Sequence, residues 1–406
     1  MHLEPQLLKK LSTREGGKIV FLVIDGLGGL PDASGDTPLE AADTPHLDDL
    51  AKDGICGLHE PVGPGITPGS GPGHLGLFGY GPLEYNVGRG VLSALGVGYP
   101  LSDGELAARG NFCTLAEDGT VKDRRAGRIS SERCRELCDK LNAMELEDVA
   151  FEVRPVKEHR FLLVLKDVDT TVSLSDTDPH ETGRPPQPVE PEGEGDEKAA
   201  ATIEAVKAFI EKAETCLRDE SAANGILLRG FGALPKMPQL PDSTRMRCKA
   251  IAAYPMYRGV ARLVGMDVLE AEDDLDDELA HLRSAWDTGD FFFVHIKKTD
   301  SLGEDGDFQA KKKLIHKIDC WLPGLLDLQP DVLVVTGDHS TPAALAAHSW
   351  HPVPVLLHAP ATVRRDPVMR FSETAALQGA LGARFPATDL LPLAMAHARR
   401  LQKFGA

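Results

Sequence analysis

Three short apolar runs in this chain each lead to an acid. KIVFLVID ends at Asp25, FFFVHIKKTD ends at Asp300, and DVLVVTGDH ends at the adjacent pair Asp338 and His339. Val, Ile, Leu and Phe in sequence, without polar alternation, form the pattern of a strand covered on both faces. Strands are therefore expected at Lys18–Asp25, Phe291–Lys297 and Asp331–Thr336, and similarly at Arg160–Lys166, Ile226–Arg229 and Val353–His358. Helical segments lie between them. Thr37-Pro38-Leu39-Glu40 combines a capping box with Pro at the first helical position. Thr44-Pro45 opens a second helix carrying Leu47, Leu50 and Ala51, which Gly54 stops. Ile203, Val206, Ile210, Ala213 and Leu217 form a third apolar stripe, and Leu314, Ile315, Ile318 and Leu322 a fourth that ends near Pro323. Strands alternating with helices give an α/β class.

At about 150 residues per domain, 406 residues suggest two or three domains. The texture changes between residues 100 and 245. FCTLAEDGTVKD reads as a hairpin turning at Asp118-Gly119, and Arg184–Lys198, RPPQPVEPEGEGDEK, as an exposed loop. Residues 100–245 are expected to form a smaller α/β lid domain inserted into a core made of 1–99 and 246–406. Cys134, Leu137, Cys138 and Leu141 share one helical stripe, so this pair reads as buried thiols, with a metal or redox pair as the alternative. Seven cysteines spread over such a length do not make a disulfide framework.

Charge narrows the partners. Lys+Arg 44 against Asp+Glu 62 leaves −18, which argues against nucleic acid or an anionic membrane and still allows a small anionic substrate. The longest clearly apolar run, Ile19–Ile24, cannot span a bilayer. The start, MHLEPQLLKKLSTREGGK, has neither an apolar stretch nor a small-residue cleavage site, so a cytoplasmic location is expected.

In open α/β sheets ligands bind outside the carboxyl ends of the strands. Any one of these acids alone reads equally well as a helix cap or a solvated loop residue. Three strands each delivering one there are hard to explain as packing. With His339 and, nine residues on, His348, the set suits a divalent cation: oxygen ligands favour Mg or Mn, imidazole Zn or Mn. Ser70 lies in PGITPGSGPGHLGLFGY at what reads as a helix start, where backbone N–H groups and the dipole favour a phosphate. No Gly-Lys-Ser/Thr follows, so it is not a nucleotide-binding loop of that type. A Gly-rich turn is its plain alternative. A metal beside Ser70 would turn its hydroxyl into a nucleophile.

Together, VIDGLGGLPD, TPLEAADTPHLDDLAKDG, TPGSGPGHLGLFGYGP, KKTDSLGEDGD and VTGDHSTP resemble the cofactor-independent (2,3-bisphosphoglycerate-independent) phosphoglycerate mutases. RGNFCTL, DRRAGRI, TDPH and LLRGFG in the middle region fit their archaeal-type branch, within the alkaline phosphatase superfamily. The resemblance implies an alkaline-phosphatase-like core sheet with helices on both faces. It implies two divalent metals, Mn or Mg with Zn or Co possible, no 2,3-bisphosphoglycerate, and a phosphoserine intermediate between 3-phosphoglycerate and 2-phosphoglycerate. It places Asp25, Ser70, Asp338 and His339 around one metal, and Asp300 and His348 around the other. The family's remaining ligand is usually a His four residues after the Asp300 position, where this chain has Glu304, either a substitute ligand or a solvated acid. Candidate substrate contacts are Arg125, Arg128, Arg160, His180, Arg229 and Lys249, each also readable as a surface ion pair. A metal-dependent phosphatase of the same superfamily is the alternative reading.

Overall fold

The computed structural model describes residues 3–85, 87–147, 149–192 and 197–405. The described strands are, in chain order, β1 (Ile19–Ile24), β2 (Ile55–Glu60), β3 (Leu106–Leu115), β4 (Val121–Asp123), β5 (Ala150–Lys157), β6 (Arg160–Lys166), β7 (Gly225–Gly232), β8 (Cys248–Ala252), β9 (Asp267–Glu270), β10 (Phe291–Ile296), β11 (Val332–Thr336), β12 (Val353–His358) and β13 (Gly382–Pro386). Two compact units divide them: Val87–Lys236, and the chain on either side of it.

The discontinuous unit holds an eight-stranded sheet in the order β13-β2-β12-β11-β1-β10-β8-β9. From β11 through β9 all neighbours run parallel, whereas β12 is antiparallel to both β11 and β2. Every residue of β1, β10 and β11 is buried, as their non-alternating composition requires. Val20, Leu22, Val294, Leu333 and Val335 belong to one core with Leu47, Leu50, Ile315, Ile318 and Leu322 from the helices. The register pairs Ile24 with Ile296 and Val23 with Thr336, so three carboxyl ends lie side by side.

The capping box forms as read: Thr37 Oγ1 accepts from Glu40 N at 3.0 Å, and Thr37 N donates to Glu40 at 3.1 Å. One local expectation is refined: the helix Phe308–Leu326 runs one turn past Pro323, whose carbonyl accepts from Asp327 N at 3.0 Å. After β10, Asp300 and Glu304 share the helix Lys298–Glu304, one turn apart, and Asp305 and Gly306 turn the chain after it.

The Val87–Lys236 unit is an antiparallel sheet, β4-β3-β6-β5 with β7 also on β3. Gly119, at φ 81°, makes the turn of the β3–β4 hairpin. Cys134, Leu137, Cys138 and Leu141 on the helix Ser131–Asn142 pack with Phe161, Leu163, Val206 and Phe209, so both thiols are core atoms. Residues 193–196 of the expected acidic loop lie outside the described residues. The unit begins earlier than residue 100 because the helix Arg89–Gly96 packs on β3, so closely that a Cβ on Gly90 would meet Ala107 O at 2.2 Å. It ends before residue 245 because Leu240–Thr244 is tied to the other unit, with Ser12 Oγ donating to Ser243 O at 3.2 Å. No helix among the described residues is long and apolar enough to cross a membrane.

Candidate active site

Parallel pairing in register places Asp25 one residue beyond β1, Asp338 and His339 just beyond β11, and Asp300 on the first turn of the helix after β10. Ser70 opens the helix Ser70–Leu77, with Gly69 in extended conformation before it. Ser70 Oγ lies 3.2 Å from His339 Nε2. The same Nε2 is 3.2 Å from Asp338 Oδ2 and 3.4 Å from Asp25 Oδ1. The His348 ring stacks on that of His339 at 3.7 Å between centroids, and its Nε2 is 3.3 Å from Asp300 Oδ1. Two clusters of potential ligands result, Asp25–Asp338–His339 and Asp300–His339–His348.

Hydrogen bonding assigns the ring protons. The Thr341 hydroxyl donates to Asp300 Oδ1 at 2.7 Å, so at 3.0 Å from His339 Nδ1 it accepts the Nδ1 proton. His348 Nδ1 faces Pro68 O at 2.9 Å and must donate to it. Both Nε2 atoms are thereby directed at carboxylates, and Asp25 Oδ1 and Asp338 Oδ2 are buried without a hydrogen-bond donor. The lone pairs of His339 Nε2, Asp25 Oδ1 and Asp338 Oδ2 converge in a buried space and call for a cation between them. The donor set of carboxylates, imidazoles and a hydroxyl therefore fits divalent metals.

Protein charges already favour the ionised acids. Burial would push Asp25 up, but the Lys297 ammonium, followed by His295 and His339, holds it well below the usual carboxylate range. Burial and Asp25 would likewise raise Asp300, whereas a hydrogen bond to His348 and the charge of Lys297 bring it down to about 2.

Glu304 stands at the rim, about half exposed, with Oε1 3.8 Å from His348 Nε2. Several residues of the site were not singled out in the sequence. Lys297 Nζ lies 3.2 Å from Asp25 Oδ2 and also pairs with Asp300. Tyr257 OH donates to Asp25 Oδ2, and its ring stacks on the buried His295. His74 Nδ1 bonds to Ser70 O at 2.7 Å and lies 3.2 Å from Asp338 Oδ2. The i, i+4 spacing of Ser70 and His74 was the available signal for His74; Tyr257 comes from a distant helix and left none.

In the other unit, Arg125, Arg128 and Arg160 gather with Arg109 around the buried His159. Burial first, and then these four charges, bring the His159 imidazole down to about 3. Arg229 is mostly buried and lies 3.4 Å from both Asp176 and Asp178. His180 is exposed, in left-handed conformation at φ 63°. Lys249 belongs to the discontinuous unit. It pairs in register with Phe292, towards the amino end of the sheet, and its ammonium bonds to Asp267 at 2.8 Å.

A family model described as 2,3-bisphosphoglycerate-independent phosphoglycerate mutase matches residues 51–223. A probable 2,3-bisphosphoglycerate-independent phosphoglycerate mutase of Deinococcus radiodurans is 48% identical over 410 residues, covering 98% of each chain. One of Aquifex aeolicus is 46% identical, over 98% of this chain and 100% of its own. Among solved structures, a protein of Pyrococcus horikoshii superposes with a TM-score of 0.82 at 30% identity, over 96% of this chain and all of that one. The cofactor-independent phosphoglycerate mutase of Thermoplasma acidophilum gives 0.66 at 30% identity, over 94% of this chain and all of its own.

Proposed function

The chain belongs to the 2,3-bisphosphoglycerate-independent phosphoglycerate mutases, and from this membership we propose that it interconverts 3-phosphoglycerate and 2-phosphoglycerate through a phosphoserine on Ser70. The observation that carries the reading is the contact of Ser70 Oγ with His339 Nε2, which itself lies against Asp25 and Asp338 at the ends of two buried strands. Asp25, Ser70, Asp338 and His339 would hold one divalent ion, and Asp300, His348 and Glu304 the other, with Mn or Mg favoured by the excess of oxygen donors. When bound, such ions supply Lewis acidity that lowers the pKa of the serine hydroxyl and offsets the charge of a phosphate.

The chain's own groups do the rest. Ser70 Oγ attacks phosphorus, its bond to the glycerate 3-oxygen breaks, and that oxygen takes the proton the serine gives up. In the second half the 2-hydroxyl of glycerate attacks the phosphoserine, the Oγ–P bond breaks, and Oγ regains a proton. Lys297, an ammonium between Asp25 and Asp300, keeps both acids ionised and can meet a phosphate oxygen. The Arg125, Arg128 and Arg160 group, with Arg229, would take the carboxylate and phosphate of the substrate through bidentate contacts, and His180 would add a single hydrogen bond. Lys249 leaves this set because of its place at the other end of its strand. Holding glycerate between the half-reactions while water is excluded is what separates a mutase from a phosphatase.

The test is to incubate the purified protein with 3-phosphoglycerate and to measure 2-phosphoglycerate and free phosphate together. The mutase reading expects the first to form with little of the second; stoichiometric free phosphate would make the protein a phosphatase.

A further inference from the structure

Lys311 lies on the helix Phe308–Leu326 with its side chain fully buried, although it takes no part in the chemistry above. Its ammonium donates to the carbonyl oxygens of Gly26 at 2.6 Å, Thr341 at 2.8 Å and Gly28 at 3.4 Å. Three acceptors match the three N–H groups of an ammonium, and every one of them is a backbone atom of a rim loop. Gly26 and Gly28 lie one and three residues after Asp25. Thr341 is two residues beyond His339, and its hydroxyl bridges His339 Nδ1 to Asp300 Oδ1. The loops also touch: Gly26, at φ 63°, leaves so little room that a Cβ there would lie 2.5 Å from Thr341 Oγ1.

We propose that Lys311 is a positioning residue for the metal centre, its ammonium clamping the loop after Asp25 to the loop after His339. The proposal rests on reading these acids and imidazoles as metal ligands. Asp25 comes from one loop and His339 from the other, and His339 faces both ligand clusters, so the spacing set by this clamp reaches both sites. Without the ammonium, three carbonyl dipoles face one another across a space closed to water, and the favourable response is for the loops to part. Ligand atoms must keep their distances within about 0.2 Å to hold a metal well, so a small parting is felt as lost affinity.

Full-length wild type, Lys311→Met and Lys311→Gln are titrated with Mn²⁺ by calorimetry. Folding is followed by circular dichroism, and kcat and KM for 3-phosphoglycerate are measured at saturating Mn²⁺. Methionine nearly conserves shape without charge, and glutamine retains two donors. The expected result is a folded Lys311→Met protein whose Mn²⁺ affinity is about 10- to 100-fold weaker, the range known for groups that orient metal ligands. Its kcat should fall by about tenfold or more with KM within about twofold, and Lys311→Gln should lie between it and wild type. A purely structural role would lower the melting temperature of the metal-free protein and leave the affinity of the folded fraction unchanged. A folded Lys311→Met protein with Mn²⁺ affinity within about twofold of wild type overturns the proposal. Failure of both variants to fold overturns it too, since Lys311 would then serve assembly of the core. Wild type that binds no Mn²⁺ would remove the metal reading itself, and the clamp's purpose with it.

Discussion

Ser70 Oγ and His339 Nε2 stand 3.2 Å apart, although the chain separates them by 269 positions. A helix start and the end of β11 converge there, and the Thr341 hydroxyl accepts a hydrogen bond from His339 Nδ1, which leaves Nε2 for the serine. The serine hydroxyl thus faces an imidazole nitrogen that itself lies against two carboxylates. Ser70→Ala keeps the helix and the acids and removes only the acceptor of the phosphoryl group. The variant is expected to fold as wild type does and to lose activity by about three orders of magnitude or more, in line with removal of other nucleophiles. Turnover within about tenfold of wild type would refute a phosphoserine route.

Chelation is expected to abolish activity reversibly, with Mn²⁺ or Mg²⁺ restoring it. The motive is the pair of buried carboxylate oxygens, Asp25 Oδ1 and Asp338 Oδ2, that have no donor of their own. Ions that bind only the folded state also stabilise it, by about 2.7 kcal/mol at a hundred times the dissociation constant. The chelated protein should therefore melt at a lower temperature. Full activity in a sample shown metal-free by elemental analysis would end the metal reading.

The sequence made the rim legible because strand ends are a local signal. The non-alternating runs ending at Asp25, Asp300 and Asp338 needed only the rule that ligands collect outside such ends. β12 was found the same way, although its antiparallel direction was not. Ile55–Glu60 and Gly382–Pro386 were missed: each is short and mixes Gly or charge with few branched residues, and pairing with neighbours, not local preference, makes them strands. The helix carrying Asp300 and Glu304 was hidden by its Gly and Asp content, which reads as a turn. Tyr257 and Lys311 act on the site from segments far along the chain, so only tertiary packing reveals them. The Lys249 candidate shows the converse error, in which a basic residue near a boundary was given a role before the direction of its strand was known.

Glu278 offers a pH test away from the metal ligands. It is buried, its Oε2 has no hydrogen-bond partner, and burial, followed by the charges of Asp273, Asp274 and Asp277, pushes it up to about 9 from 4.5. Its pKa is raised on folding, so its contribution is fully present below about pH 4.5 and is lost as pH rises through about 9. Within that window the folded protein holds a proton that the unfolded chain has released. Glu278→Gln cannot ionise, and should flatten the decline of melting temperature between pH 5 and pH 8.5 by roughly 2 °C or more. Parallel pH profiles of the two proteins would show the group to be unimportant.

On the proposed reading, Glu304 would decide the character of the second metal site. It lies one helical turn after Asp300, so the two carboxyls share a face, and its Oε1 is already 3.8 Å from His348 Nε2. Rotation of a half-exposed side chain would complete a set of Asp300, His348 and Glu304. With a carboxylate where the family usually has imidazole, the site would carry one more negative charge and would favour Mn or Mg over Zn. Glu304→Ala is expected to weaken metal binding by about tenfold or more at this site, with little change in fold. Glu304→His should keep activity and move preference towards Zn or Co. Titration of the three proteins with Mn²⁺ and Zn²⁺, read by calorimetry, separates the cases. Equal affinities for wild type and Glu304→Ala would make the acid a solvated neighbour of Asp305 and Asp307, and would leave Asp300 and His348 to be completed by His339, which already faces them.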